Sequence, residues 1–460
     1  MPVATLTADD GGQPRVALVA LGCPKNLVDA EQMLGVLTAR GYRLVPDPAR
    51  AEVIVVNTCG FLQAAREEAL REIRAAARLK HVGRCDTLVV TGCLAQADPD
   101  GVRAHCSEVD AVIGVAEFAR IGELVDAARA GRRDQVAVSA PVAAYRDELP
   151  RTLATAPWTA YLKIAEGCDC RCSFCTIPAL RGPFRSRPLE SVVTEAERLV
   201  AGGVRELVLV AEDVTHYGRD RAGAPRLADL LRALGALDRL DWIRLLYCYP
   251  TRLDDALLAA MAEVPAVLPY VDMPLQHAHD GILSQMHRAG NRAGYLRLLA
   301  RLREALPDVC VRSSFIVGFP GERREEFAAL ESFLEEARLD RVGFFAFSPE
   351  PGTPAATLPG RVAPGVARAR IARLAERQAA ISQQGGNKMV GRSLAVLVES
   401  GTREGGVGRS YRDAPEIDGV VHVDGAARGA LRPGEMVRVR ITAADTHDLF
   451  GSVHEDQVSP

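Results

Sequence analysis

The sequence predicts an α/β protein of three units: an N-terminal parallel α/β domain, a central α/β domain and a small all-β domain at the C-terminus. Three observations carry this. Over residues 14–135, short apolar runs alternate with amphipathic helical stretches, the pattern of a parallel sheet covered on both faces. After a Pro- and Ala-containing link over 136–158, strand–helix alternation resumes and fills 159–383. From 384 to 460 the chain is rich in Gly, Val and Arg, with short alternating runs and no long helical pattern, as in a small β-barrel or sandwich.

Within the first unit, Val16–Leu21, Val53–Val56 and Leu88–Val90 read as strands. Helical patterns cover Asn26–Arg40, which stops at Gly41, and Leu62–Leu79. The central unit offers Tyr161–Ile164, Glu206–Val210, Ile243–Tyr247, Pro269–Met273, Val311–Val317 and Val342–Phe347 as strands. Helices are expected between them, including Leu189–Ala201, Leu227–Leu237, Arg292–Leu306 and Arg323–Ala337. Six βα units suit either a doubly wound sheet or part of a barrel. A charged helix over Val366–Gln383 leads into Ser393–Glu399, Gly419–Val423 and Glu435–Thr442, the alternating runs of the last unit.

The chain has 11 cysteines. Its start lacks a basic segment followed by an apolar one, so no export signal is visible and the cytoplasm is the expected compartment. No apolar run is long enough for a membrane helix. In a reducing compartment the cysteines are expected as thiols, metal ligands or catalytic groups rather than disulfides. Cys168, Cys172 and Cys175 form C-x3-C-x2-C just past the first central strand. Three thiolates cannot close a four-ligand zinc site. They can hold three irons of a [4Fe–4S] cluster and leave the fourth iron open to a small molecule. Cys170, on the same loop, reads as a bystander. Cys23, Cys59 and Cys93 each follow a predicted strand of the first unit. The carboxyl ends of parallel strands share one crevice, so these three are expected to converge. Cys248 and Cys310 read as small buried hydrophobes.

With these residues in hand, the chain resembles the radical S-adenosylmethionine (radical SAM) enzymes, and within them the methylthiotransferases. The likeness covers about 15 to 458. The run Gly22-Cys23-Pro24-Lys25-Asn26-Leu27-Val28-Asp29 is similar to the RimO-type branch, which modifies a ribosomal protein; the tRNA-modifying branch differs after its first cysteine. Gly408–Gly419, Glu166-Gly167-Cys168, Asp272–His277, Ile316–Glu322 and Ser348–Pro354 extend the match. The resemblance implies a ferredoxin-like open partial (β/α)6 barrel in the middle and a TRAM-type barrel at the end. It implies two [4Fe–4S] clusters, on Cys168/Cys172/Cys175 and Cys23/Cys59/Cys93, with S-adenosyl-L-methionine as cofactor. A 5′-deoxyadenosyl radical would take hydrogen from the substrate carbon, and a second cofactor molecule would supply the methyl group. The implied substrate is the small-subunit ribosomal protein S-twelve, methylthiolated at the β-carbon of one aspartate. An electron donor such as flavodoxin or ferredoxin is expected, and direct tRNA binding is not. Expected cofactor contacts are Glu212, Asp213, Gln276, Phe319 and Gly321. The family usually has Gln at 212, and a carboxylate there can still accept from the methionine ammonium. No general base is required, and none is assigned.

Charge bears on the substrate. Net charge is −3, too near neutral for a chain whose main task is coating nucleic acid. Residues 391–460 carry eight Arg, no Lys and eleven acidic residues, so this segment accounts for the whole imbalance. An acidic terminal domain repels a polyanion and suits a basic protein. Two competing readings are a tRNA methylthiotransferase and a non-enzymatic iron–sulfur electron carrier or zinc scaffold. Electron carriers close their irons with four cysteines, whereas each set here has three.

Overall fold

A computed structural model describes residues 12–142, 149–425 and 430–453. The first domain has six strands: β1 (Arg15–Ala20), β2 (Arg43–Leu44), β3 (Val53–Thr58), β4 (Thr87–Gly92), β5 (Ala111–Ile113) and β6 (Gln135–Ala137). They form one sheet in the order β2-β1-β3-β4-β5-β6, every pairing parallel. Its helices are α1 (Pro24–Ala39), α2 (Gln63–Val82), α3 (Cys93–Ala97), α4 (Pro99–His105) and α5 (Ile121–Arg129). Successive strand residues point to opposite faces, and both faces are covered. Ile54, Val56, Leu88 and Val90 pack with Ile73 and Ala77 of α2, while Val53, Val55 and Val89 pack with Met33 and Leu37 of α1. That is why these strands read as unbroken apolar runs.

The link was expected to be a plain connector. Instead β6 reaches into it as the sixth strand, and Arg151 pairs with Glu31 of α1 at 2.5 Å and with Glu195 of the central domain at 2.7 Å.

The central domain starts with β7 (Thr159–Lys163), β8 (Ala165–Glu166), α6 (Ile177–Arg181), β9 (Arg185–Ser186), α7 (Leu189–Ala201) and β10 (Glu206–Val210). It continues through α8 (Leu227–Gly235), β11 (Trp242–Leu245), α9 (Asp255–Glu263), β12 (Val267–Asp272), α10 (Asp280–Gln285) and α11 (Arg292–Ala305). Then come β13 (Cys310–Val317), α12 (Arg324–Ala337), β14 (Arg341–Ala346) and α13 (Pro364–Asn387). Its six-stranded parallel sheet runs β7-β10-β11-β12-β13-β14 without a reversal of order. A doubly wound sheet needs such a reversal, so this is the open partial barrel. Leu207, Leu209, Ile243, Val271, Phe315 and Val317 face the helical layer. Tyr161, Val208, Val210, Leu246, Tyr270 and Cys310 face the other way, into the concave side.

The last domain is a closed barrel of β15 (Ser393–Gly401), β16 (Gly405–Arg409), β17 (Val421–Asp424), β18 (Met436–Ala444) and β19 (Leu449–Val453). The sequence pattern missed β16, a Gly-rich strand, and β19. The segment after β16 plugs the concave side of the partial barrel: Tyr411 and Ala414 join its apolar cluster, as do Leu397 of β15 and Val28 of α1. Arg409 and Arg244 meet on Glu206, all three buried. All three domains therefore abut at one junction. Among the described residues, no helix is long and apolar enough to cross a membrane.

Candidate active site

In the first domain the strand order reverses between β1 and β3, and such a switch point opens a crevice at the carboxyl ends of the strands. Cys23 follows β1, Cys59 follows β3 and Cys93 opens α3 right after β4. These strands are neighbours, so the three thiols come together, and Cys23 and Cys59 both weigh electrostatically on the burial-raised Cys93 thiol. Glycine spacing explains how closely. Gly22 has φ +98°, and a Cβ there would meet Cys59 Cβ at 3.0 Å and Sγ at 3.4 Å. A Cβ on Gly60 would sit 2.8 Å from the backbone of Cys93 and Leu94. Side chains at either position would push the thiol loops apart.

In the central domain, the loop after β8 carries Cys168, Cys172 and Cys175. It is pinned where Ser173 donates to the Gln285 carbonyl at 2.7 Å and its N–H to Met286 at 3.0 Å. All 11 cysteines are free thiols. Burial pushes the Cys93 thiol up to about 11 and the Cys175 thiol up to about 12, so binding metal would release protons. Among the described residues, no group of three or more His, Cys, Asp and Glu side chains is placed to hold one metal ion. A cube bound at three corners spaces its thiolates more widely. Two sets of three free thiols, the first on loops that Gly22 and Gly60 let approach closely, are the donors that such clusters take.

Between the two sets lies a buried polar seam that sequence reasoning missed. Arg181 ends α6, the helix that follows Cys175. Its Nη2 donates to Asn26 Oδ1 at 2.9 Å and to Cys93 Sγ at 3.5 Å. Its Nη1 donates to Asp29 at 2.7 Å and Glu166 at 3.1 Å. Lys163 joins the same two carboxylates, Asp29 and Glu166. Against the burial that would raise it, Lys163 and Arg181 hold the Glu166 carboxyl down at about 2. Lys25 pairs with Glu212 at 3.1 Å and lies 3.8 Å over the Tyr247 ring. Burial pulls the Lys25 ammonium down, but Glu212, Cys23 and Tyr247 outweigh it and keep the group charged. Glu212 in turn bears on Cys175. Charged residues directly behind the cysteines, and Lys163 at the end of an apolar strand, were the available signal.

The expected contact residues divide. Glu212 faces Lys25 in the seam. Gln276 has φ +72° and binds β13 through its backbone, donating to Ser314 at 2.9 Å and accepting from Ile316 at 2.8 Å. Asp213 is consumed by Arg252 and Thr215. Phe319 is enclosed, its ring 5.2 Å from that of Phe347. Gly321, φ +85°, faces Gln285 of the segment that pins the cysteine loop. Cys170 is more than a bystander: its N–H donates to Cys168 Sγ at 3.4 Å and its own Sγ accepts from Arg252 at 3.7 Å. Cys248 and Cys310 are buried, as expected.

Three family descriptions match the chain: Uncharacterized protein family UPF0004 over residues 15–114, the Radical SAM superfamily over 162–334 and the TRAM domain over 390–453. A relative from Symbiobacterium thermophilum, "Ribosomal protein uS12 methylthiotransferase RimO", is 46% identical over 452 residues, 97% of this chain and 93% of its own. One of the same name from Moorella thermoacetica is 47% identical over 440 residues, 95% and 99% of the two chains. The chain belongs to the RimO family of methylthiotransferases. It is a radical SAM enzyme with a TRAM-type barrel. The fold is also shared with the radical S-adenosylmethionine methyltransferase TsrM from Kitasatospora setae, whose structure holds cobalamin and a [4Fe–4S] cluster. That likeness has a TM-score of 0.54 at 18% identity and covers 75% of this chain and 77% of that one. In RimO-family terms, the run from Gly22 to Asp29 supplies a thiol, Cys23, and three seam residues, Lys25, Asn26 and Asp29.

Proposed function

We propose that this chain methylthiolates the β-carbon of an aspartate in the small-subunit ribosomal protein named in its relatives. Cys168, Cys172 and Cys175 would hold one [4Fe–4S] cluster with S-adenosylmethionine, and Cys23, Cys59 and Cys93 a second. Bound together, these groups supply one-electron cleavage of the cofactor and a sulfur donor, chemistry that an unactivated C–H bond demands and side chains lack. The protein contributes placement and exclusion of water. Glu212 and the Gln276 amide, which has no partner among the described residues, would contact the cofactor. Asp213, Phe319 and Gly321 would shape the loops that present them. The carrying observation is Arg181: from the helix behind one thiol set it donates to a thiol of the other. An iron–sulfur carrier has no use for two open sets facing one seam.

A protein substrate is favoured over tRNA by the acidic balance of residues 391–460, eight Arg against eleven acidic residues, which suits a basic protein and repels a polyanion. Arg409 and Arg412 turn inward to Glu206 and Asp340, while Arg403, Arg432, Arg438 and Arg440 stay exposed. The reading places the enzyme in the cytoplasm with a flavodoxin- or ferredoxin-like donor. The test is mass spectrometry of ribosomal proteins from a strain lacking this chain: one methylthio group should disappear from one aspartate. Its persistence, or loss of a tRNA modification instead, would refute the proposal.

A further inference from the structure

Among the buried cations at the seam, Arg181, Lys163 and Arg151 each hold two or more polar partners. Arg181 has Asp29, Glu166, Asn26 and Cys93; Lys163 has Asp29 and Glu166; Arg151 has Glu31 and Glu195. Lys25 differs. An ammonium offers three protons, yet among the described residues Lys25 is paired with one carboxylate, Glu212, and otherwise has only the Tyr247 ring and the nearby Cys23 thiol. Its side chain is 9% exposed. Spare donor capacity on a buried charge is costly unless something fills it. The site is also held in place: Tyr247, beneath the ammonium, has φ +62°, and its N–H donates to Asp272 at 3.0 Å. Of the further cations on the concave side, Arg244 is taken by Glu206, and Arg312 already lies between Asp272 at 3.0 Å and Asp418 at 3.4 Å. Two carboxylates there repel a third, whereas Lys25 faces one.

We infer that Lys25 is the group that binds the side-chain carboxylate of the substrate aspartate. The inference rests on the proposed function and deepens it. Lys25 stands two residues after Cys23 and is paired to Glu212, which bears on Cys175, so its ligand lies between the two thiol sets. With the cofactor bound, Glu212 would accept from its ammonium, which would leave Lys25 charge to meet an incoming carboxylate. An iron left open by three thiolates would take the cofactor's own carboxylate, so the substrate's carboxylate would be the anion left for Lys25. Lys25 thus acts as a specificity-determining residue, selecting an aspartate over its amide.

The test uses the full chain with its clusters reconstituted anaerobically and S-adenosylhomocysteine present to prevent turnover. Binding is measured for the ribosomal protein and for the same protein with asparagine at the aspartate located by mass spectrometry. The wild-type enzyme should prefer the aspartate form by about tenfold to a hundredfold, the range of a hydrogen bond to a charged group. Lys25→Met should bind both forms alike. Lys25→Met/Glu212→Gln, which leaves no orphaned carboxylate, should do the same, and Lys25→Arg should keep part of the preference. Because the ratio is taken within each variant, general losses of stability cancel. An undiminished preference in both Met variants overturns the inference. So does a defect confined to S-adenosylhomocysteine affinity, which would assign Lys25 to the cofactor's carboxylate. If the wild-type enzyme does not bind the ribosomal protein at all, the proposed function itself falls.

Discussion

Replacing Asp29 by asparagine should unfasten the seam between the first two domains. Asp29 and Glu166 carry two negative charges, and Lys163 and Arg181 carry two positive ones. Side-chain exposure is 5% for Asp29, 1% for Lys163 and 3% for Arg181. Asparagine preserves shape but leaves one buried positive charge uncompensated, a loss of about 3–5 kcal/mol. Titration leads to the same size. The Glu166 carboxyl, ordinarily at 4.5, is held at about 2, a shift worth about 3 kcal/mol. Because its folded value is depressed, that stability is present above about pH 4.5 and is lost as pH falls toward 2. The assay is anaerobic urea unfolding of the whole chain for Asp29→Asn, Arg181→Met and the double variant. The chain's 2 Trp, Trp158 and Trp242, lie at or in the central domain, so fluorescence reports that domain while circular dichroism reports all three. In Asp29→Asn the two curves should separate, and the Asp29–Arg181 coupling should be about 3 kcal/mol. Coincident curves with a coupling below about 1 kcal/mol, the value of an exposed pair, would refute the argument.

Four further outcomes are expected. Cys172→Ala should abolish 5′-deoxyadenosine formation after reduction with S-adenosylmethionine, and unchanged formation would remove the central triplet from the cofactor site. Cys59→Ala should keep that cleavage but make no methylthio product. Gly60→Ala drives a methyl group against the Cys93 backbone, so anaerobic reconstitution should drop from about eight irons per chain to about four; full loading would show that the loops can part. Arg181→Gln removes a buried charge and an N–H donor from Cys93, so the potential of the first-domain cluster, read by electron paramagnetic resonance titration, should become more negative, while Arg181→Lys shifts it less.

Much of this protein was legible in its sequence because its strands are buried on both faces. Val53–Val56 and Leu88–Val90 have no polar side to blur the pattern, and the cysteines follow directly at the strand ends. The barrel strands β16 and β19 were not legible. Gly405, Gly406 and Gly408 offer no apolar alternation, and their place is set by pairing with β15 and β17. Periodicity also could not choose between a doubly wound sheet and a partial barrel, because strand order is a long-range property that no local pattern encodes.

The seam escaped for a different reason. Lys25, Asn26 and Asp29 lie within α1, where charged and amide residues ordinarily mark a solvated face. Here that face is buried, with Asp29 4% and Asn26 1% exposed: Lys163 and Arg181 arrive from another domain, and the Asn26 amide also donates to Leu21 and Thr58 of its own. A polar residue at a domain junction carries the sequence signature of a surface residue. Its burial follows only once Lys163 and Arg181 are placed opposite. That asymmetry separates what spacing can reveal from what it cannot. Thiols after strands are positioned by their own sheet, whereas the charges that join two thiol sets are positioned by two independent folds meeting. Lys25–Glu212 and Asp418–Arg312 are pairs of this second kind, each joining residues of two domains.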